Sequence, residues 1–208
     1  MSRGVGGVAE PSSGSIPDSI PGRKRRFVLL DRDGTINEEI GYLLRPDELR
    51  LIRGALGALA ELQGLGLGLV VVTNQSPVGR GMMSAADLDA IHARLRELLA
   101  KGGVTLDAIE VCPHRPDQGC ACRKPGTLMV DRAAGTLGFD PSEGWIVGDH
   151  AADMQLGRAV GARTILLRTG HGREELETAG ADADEVVDDL AAAAALIGHE
   201  LRAAEVEA

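Results

Sequence analysis

Phe27-Val28-Leu29-Leu30-Asp31-Arg32-Asp33-Gly34-Thr35 is the stretch on which the reading of the fold turns. Four apolar residues, preceded by the basic run Arg23-Lys24-Arg25-Arg26 and followed by charged and turn-forming residues, fit a short strand buried on both faces, as a parallel sheet requires. Asp31 and Asp33 stand where that strand ends, and two carboxylates two residues apart can face the same side. Paired hard oxygen donors suit one shared Mg²⁺, an ion that also engages phosphate and keeps several waters. The same five residues, Asp31 to Thr35, serve equally well as a helix cap or Asx-turn, so alone they leave chemistry and turn evenly matched.

Working outward, the apolar texture of residues 27–30 recurs at 67–73, 108–111, 144–148 and 164–167, each a short run rich in Val, Ile and Leu. Between these runs lie stretches of helical period: Ala55 to Leu65, Ala85 to Leu99 after a cap at Ser84, Leu128 to Leu137 and Ala151 to Val160. Alternating strand and helix predicts an α/β fold, a doubly wound, mainly parallel Rossmann-like sheet whose ligands bind beyond the carboxyl ends of the strands. Leu190 to Ala204 reads as a closing Ala-rich helix. Residues 1–25, rich in Gly, Ser and Pro and ending in the basic run, cannot bury enough apolar surface to order themselves. They are expected to be a disordered tail with solvated charges, leaving 26–206 as one domain.

Other strand ends carry matching chemistry. Thr73, Asn74, Gln75 and Ser76 offer short hydrogen-bonding side chains where a phosphate would rest. Asp149 follows a fourth strand, and Asp153, one helical turn on, returns a further carboxylate to the same region. Arg123 and Lys124 supply cations for phosphoryl oxygens, or serve as ordinary loop charges.

All three cysteines fall within Cys112-Pro113-His114 and Cys120-Ala121-Cys122. Four soft ligands in two close pairs predict a structural, tetrahedral Zn²⁺ site of Cys112, His114, Cys120 and Cys122, set to hold Arg123 and Lys124 at the site mouth. Independent thiols are the blander reading, but an exposed cluster of them would oxidise.

Composition narrows the partners. A net charge of −9, from 31 acidic and 22 basic residues, disfavours nucleic acid and anionic membrane. No apolar run reaches the ~20 residues of a bilayer span, and no secretory leader precedes the first strand, so a cytoplasmic protein is expected.

The order Asp31-x-Asp33-Gly-Thr, Thr73, Lys124, Gly148-Asp149-x-x-x-Asp153 resembles the haloacid dehalogenase superfamily over residues 27 to 170. The resemblance implies a haloacid dehalogenase-type fold with minimal cap and an Mg²⁺-dependent phosphomonoester hydrolase. Asp31 would be the nucleophile, forming an aspartyl-phosphate, and Asp33 the general acid and base. Thr73 and Lys124 would hold the phosphoryl oxygens. Mg²⁺ would be bound by Asp31, the main-chain carbonyl of Asp33, and Asp149, with Asp153 behind them.

The further combination of Gly41-Tyr42, Thr73 to Ser76, Arg80-Gly81, the cysteine loop joined to Arg123-Lys124-Pro125, and Arg168-Thr169-Gly170 resembles the subfamily of heptose-bisphosphate and histidinol-phosphate phosphatases. By that resemblance Arg123, Glu39, Ile40, Gly41, Tyr42, Asn74, Gln75 and Ser76 line a pocket for a small phosphorylated sugar; separately, a monomer is expected. Histidinol phosphate is the alternative substrate, since the cysteine spacing fits that branch as well. Pro77 and His150 depart from the subfamily's usual glycine and lysine. Nucleic-acid end-processing phosphatases share the first motifs, but two Phe, one Trp and one Tyr leave little for strand stacking. A zinc-braced binding module without catalysis would leave the carboxylates idle, and turnover of a generic aryl phosphate separates it from the enzyme readings.

Overall fold

A computed structural model describes residues 25–206 of the chain. The run that opens the reading is the strand β1, Phe27–Leu30, buried along its whole length. It is followed by α1 (Ala55–Gly64), β2 (Gly68–Asn74), α2 (Ser76–Gly79), α3 (Ala85–Ala100), β3 (Ala108–Cys112), α4 (Leu128–Leu137), β4 (Trp145–Gly148), α5 (Ala151–Val160), β5 (Arg163–Leu167), α6 (Leu176–Ala179), β6 (Glu185–Val187) and α7 (Leu190–Val206).

The six strands form one sheet in the order β3-β2-β1-β4-β5-β6, and every pairing is parallel. The chain moves outward from β1 to β3 and then returns to β4 on the other side of β1. The crevice between β1 and β4 is therefore the switch point at which doubly wound sheets bind ligands.

Alternation along the strands divides the core. Val28, Leu30, Leu69, Val71, Val147 and Ile165 face α1, α3 and α7. Phe27, Leu29, Val70, Val72 and Ile146 face α4 and Leu156 of α5. Because the side-chain period of a strand is two, runs apolar at every position must be covered on both sides. The helices follow their local signals. Ser84 caps α3 by accepting from Asp87 N, and the Asp87 carboxylate answers from Ser84 N at 2.8 Å. The buried face of α3 is Leu88, Ile91, His92, Leu95 and Leu99, a stripe of helical period.

Three short elements were not foreseen, and one expectation is corrected. The strand β6 was not foreseen: three residues between acidic neighbours carry almost no period, and only tertiary pairing with β5 extends them. The four-residue α2 and α6 are likewise below the length at which period is visible. The expected tail, residues 1–25, lies outside the described residues except for Arg25, and the end of the basic run is not a solvated patch. Arg25 Nη1 meets Asp107 Oδ1 at 2.6 Å, and Arg26 donates to Glu143 O at 2.7 Å while lying 4.2 Å from the centre of the Trp145 ring. Among the described residues, no helix is long and apolar enough to cross a membrane.

Candidate active site

Asp31 leaves the end of β1 with its N–H held by Val147 O of β4 at 3.0 Å, directly at the switch point. Its carboxylate Oδ1 accepts from Lys124 Nζ at 2.7 Å. Lys124 also reaches Asp153 Oδ1 at 2.6 Å. Oxygens of Asp31, Asp149 and Asp153 lie within 4.8 Å of one another. Burial, backed by the charges of Asp153 and Asp33, outweighs the pull of Lys124 and pushes Asp31 up to about 6. Burial, followed by the charges of Asp31 and Asp153, pushes Asp149 up to about 8. Burial would lower Lys124, but Asp153 and Asp31 hold it above the ordinary lysine range. One ammonium does not balance three clustered carboxylates, and a divalent cation is the group this donor set fits.

The oxygens divide by partner. Asp153 is engaged at both: Oδ1 by Lys124, Oδ2 by the N–H of His150 at 3.2 Å. Asp149 Oδ2 accepts from His171 N at 2.8 Å, leaving Oδ1 for a ligand. Asp33 departs from the expected sharing of one ion by paired carboxylates. Its side chain turns away onto Arg32 Nη2 at 2.7 Å, Asn37 Nδ2 at 2.9 Å and Gln75 Nε2 at 2.9 Å. Burial would raise Asp33, but the Arg32 guanidinium and these hydrogen bonds prevail and hold it below the ordinary carboxylate range.

Thr73 and Asn74 end β2 beside β3, and both reach the crevice. Thr73 Oγ1 accepts from Gln75 Nε2 at 2.8 Å, which leaves its own O–H to donate. Asn74 Oδ1 accepts from Lys124 N at 3.0 Å, fixing the segment that carries the lysine. Asp31, Asp33, Glu39, Gly41, Tyr42, Thr73, Asn74, Gln75, Ser76, Arg123, Lys124 and Asp149 all line one cleft. Ile40 does not: it lies outside the cleft lining and is 50% exposed.

Cys112, at the end of β3, gathers the expected four-ligand loop. Sulfur separations are 3.5 Å for Cys112–Cys120, 3.3 Å for Cys112–Cys122 and 3.5 Å for Cys120–Cys122. His114 Nδ1 is 3.2 Å from Cys122 Sγ and 3.7 Å from Cys112 Sγ. Zn–S bonds of ~2.3 Å and Zn–N bonds of ~2.0 Å in a tetrahedron require edges of about 3.5–3.8 Å, so the set fits a zinc ion with small adjustment. Arg123 Nη1 donates to His114 O at 3.5 Å, joining the loop to the cleft.

Sequence reasoning missed several contributors. His171 lies on the loop after β5 and lines the cleft beside His150, the departure already noted, which caps α5 and pairs with Glu175 Oε1 at 2.9 Å. A single loop histidine such as His171 carries no periodic or motif signal. Arg32, 1% exposed, was passed over as the middle of the first motif, and it donates through Nη1 to His92 Nε2 at 3.2 Å. The positive charge of Arg32 requires that nitrogen to carry the lone pair.

Burial and then Arg32 lower His92 from 6.5 to about 4. The unfolded chain therefore binds a proton between those values that the folded chain refuses, and stability is lost as pH falls from 6.5 towards 4. His92→Gln keeps an acceptor for Arg32 without a titrating ring. Urea unfolding at pH 7 and pH 4.5 is expected to show the variant gaining on the parent by about 2 kcal/mol at the lower pH. Equal acid losses in both would remove His92 from this role.

Comparison with known proteins places these features together. The family model described as HAD-hydrolase-like matches residues 121–193. The D-glycero-beta-D-manno-heptose-1,7-bisphosphate 7-phosphatase of Pseudomonas aeruginosa is 40% identical over 174 residues, covering 83% of this chain and 98% of the relative. Its namesake in Pseudomonas putida is 40% identical over 170 residues, 81% of this chain and 97% of the relative. Among solved structures, D,D-heptose 1,7-bisphosphate phosphatase from B. bronchiseptica, complexed with magnesium and phosphate, superposes with a TM-score of 0.79 at 38% identity, over 84% of this chain and 99% of that one. The Burkholderia thailandensis D,D-heptose 1,7-bisphosphate phosphatase gives 0.65 at 34% identity, over 83% and 98%.

Proposed function

This chain belongs to the heptose-1,7-bisphosphate 7-phosphatase family of haloacid dehalogenase-like hydrolases, and on that premise we propose that it removes the 7-phosphate of D-glycero-D-manno-heptose 1,7-bisphosphate in the cytoplasm, as a monomer, through a phosphorylated Asp31. The observation that carries this reading is the Asp31 carboxylate on the cleft floor, one oxygen bound to Lys124 Nζ at 2.7 Å and the other left for an electrophile.

Asp31 attacks phosphorus, the P–O bond to carbon 7 breaks, and the departing alkoxide takes a proton from Asp33. Water then attacks the acyl-phosphate, giving its proton to Asp33, and releases inorganic phosphate and free Asp31. Arg32, Asn37 and Gln75 keep Asp33 ionised at rest, which suits the second step. The proton for the first step enters with the substrate, because a phosphate monoester with its second pKa near ~6 arrives partly as the monoanion. Lys124, with two of its three donors on Asp31 and Asp153, turns the third to a phosphoryl oxygen, and the Thr73 hydroxyl takes another.

Mg²⁺ held by the Asp31 and Asp149 carboxylates and the Asp33 main-chain carbonyl would offset the charge of phosphate and carboxylates together. Asp153, with both oxygens engaged, supports Lys124 from behind. Zn²⁺ in the four-ligand loop would fix the course of the chain into Arg123 and Lys124.

The second phosphate of the sugar needs a fixed cation away from the reacting one, and Arg123 offers planar, bidentate donors at the cleft wall. The same arginine would repel the protonated amine of histidinol phosphate. Steady-state curves for both substrates are expected to give kcat/KM at least about a hundredfold higher for the bisphosphate, roughly 2.7 kcal/mol, with Arg123→Ala narrowing the gap. Equal or reversed preference in the parent would overturn the sugar assignment.

A further inference from the structure

The loop after β5 was noted in the sequence only as part of a resemblance, but it touches both halves of the switch point. Thr169 Oγ1 donates to Gly34 O at 2.6 Å. Two residues on, His171 N donates to Asp149 Oδ2 at 2.8 Å. Between them Gly170, at φ +51°, lies so close that a Cβ there would collide with the Asp149 carboxylate and with Gly34 Cα. Gly34 itself has φ +79°, and a Cβ on it would strike the same Asp149 carboxylate oxygen. Asp149 Oδ2 is thus packed against two glycines and held by one main-chain N–H.

The two peptide groups flanking Gly34 are anchored separately. Its N–H donates to Asn37 O at 2.8 Å, which turns the trans carbonyl of Asp33 the opposite way. Its own carbonyl is held by the Thr169 hydroxyl. If the second anchor is lost, the Gly34–Thr35 peptide keeps only the longer bond from Thr35 N to Arg32 O at 3.4 Å, and glycine adds little steric barrier of its own. The Gly34 backbone, which packs against the Asp149 carboxylate, would then shift and loosen the placement of that carboxylate beside the Asp33 carbonyl.

We propose that Thr169 is a positioning residue for the divalent cation: its hydroxyl, together with the N–H of His171, forms one clamp that sets the Asp33 carbonyl and the Asp149 carboxylate as a preformed pair of ligands. The inference rests on the proposed Mg²⁺ site but not on the identity of the sugar. Groups that orient ligands from behind typically contribute 10–100-fold in metal affinity.

The test uses the full chain, its Thr169→Val variant, which keeps the shape and loses the hydroxyl, and Thr169→Ser, which restores the donor. Mg²⁺ binding is measured by calorimetry and by the Mg²⁺-dependent rise in melting temperature, alongside the Mg²⁺ dependence of aryl phosphate hydrolysis. Thr169→Val is expected to weaken Mg²⁺ binding about tenfold, with kcat at saturating Mg²⁺ within about threefold of the parent, and Thr169→Ser to recover most of the affinity. Unchanged Mg²⁺ affinity in a folded Thr169→Val protein would overturn the proposal, as would a loss of kcat that saturating Mg²⁺ does not repair. Should Thr169→Val fail to fold, Thr169→Ala, which also removes the hydroxyl, takes its place: a loss of about tenfold in affinity supports the clamp, and unchanged affinity contradicts it. If the parent binds Mg²⁺ and cleaves aryl phosphate but not the heptose bisphosphate, the substrate assignment fails and the clamp stands.

Discussion

Asp31→Asn is expected to lower kcat by at least about four powers of ten, some 5.5 kcal/mol in the barrier, while leaving the melting temperature within about 3 °C of the parent. The substitution keeps the shape of the side chain and its contact with Lys124, but an amide is too poor a nucleophile to form the acyl-phosphate. Stability should survive because the parent carboxylate sits among Asp149 and Asp153, where burial and like charge already push it up to about 6. Replacing one of three crowded carboxylates by a neutral amide relieves repulsion even as Lys124 loses part of its partner's charge. The check is a single-turnover assay on aryl phosphate with a parallel thermal melt. Turnover within about tenfold of the parent would remove Asp31 as nucleophile.

The second large effect is expected at the four-ligand loop. Protein purified without chelator should carry close to one zinc per chain, and Cys120→Ser should lose most of it. The remaining cysteines and His114 then keep their crowding without the cation that their geometry fits, at sulfur separations of 3.3–3.5 Å in the parent. A stability loss of about 3 kcal/mol follows for this kind of ligand loss, or roughly 6–12 °C in melting temperature for a domain of this size. Activity should fall as well, through the chain rather than the chemistry: Arg123 hangs on His114 O, and Lys124 is two residues from Cys122. Metal analysis and calorimetric melts of parent and variant read both effects. Full zinc content and an unchanged melting temperature in Cys120→Ser would mean that the loop serves another purpose.

How much of this was legible in the sequence differs by the kind of signal. Runs apolar at every position, such as Phe27 to Leu30, announced buried strands because parallel sheets leave neither face in water. The helices α3, α4 and α5 were visible because their apolar period, the Ser84 cap and the glycines after α4 and α5 agree with one another. Strand β6 was not, since three residues paired at an edge leave no period to read.

At the site, the chain order of Asp31, Thr73, Lys124 and Asp149 marks the strand ends, and topology alone brings those ends together. The direction of each side chain was not legible. Spacing allowed Asp33 to face Asp31 across a shared ion, yet Arg32, Asn37 and Gln75 draw its carboxylate elsewhere. Ile40 shared a segment with Glu39, Gly41 and Tyr42 but falls outside the cleft lining. His92 read as one more position on the buried face of α3, and only the fold reveals the buried guanidinium that it accepts from.

The central claim is that this cleft cleaves one particular phosphate of a sugar bisphosphate. ³¹P NMR of D-glycero-D-manno-heptose 1,7-bisphosphate incubated with the full chain and Mg²⁺ tests it most directly. The expected result is disappearance of the phosphomonoester signal at carbon 7, equimolar growth of inorganic phosphate, and an unchanged anomeric phosphate at carbon 1. Loss of the anomeric phosphate instead, or an intact bisphosphate under conditions where histidinol phosphate is hydrolysed, would contradict the account.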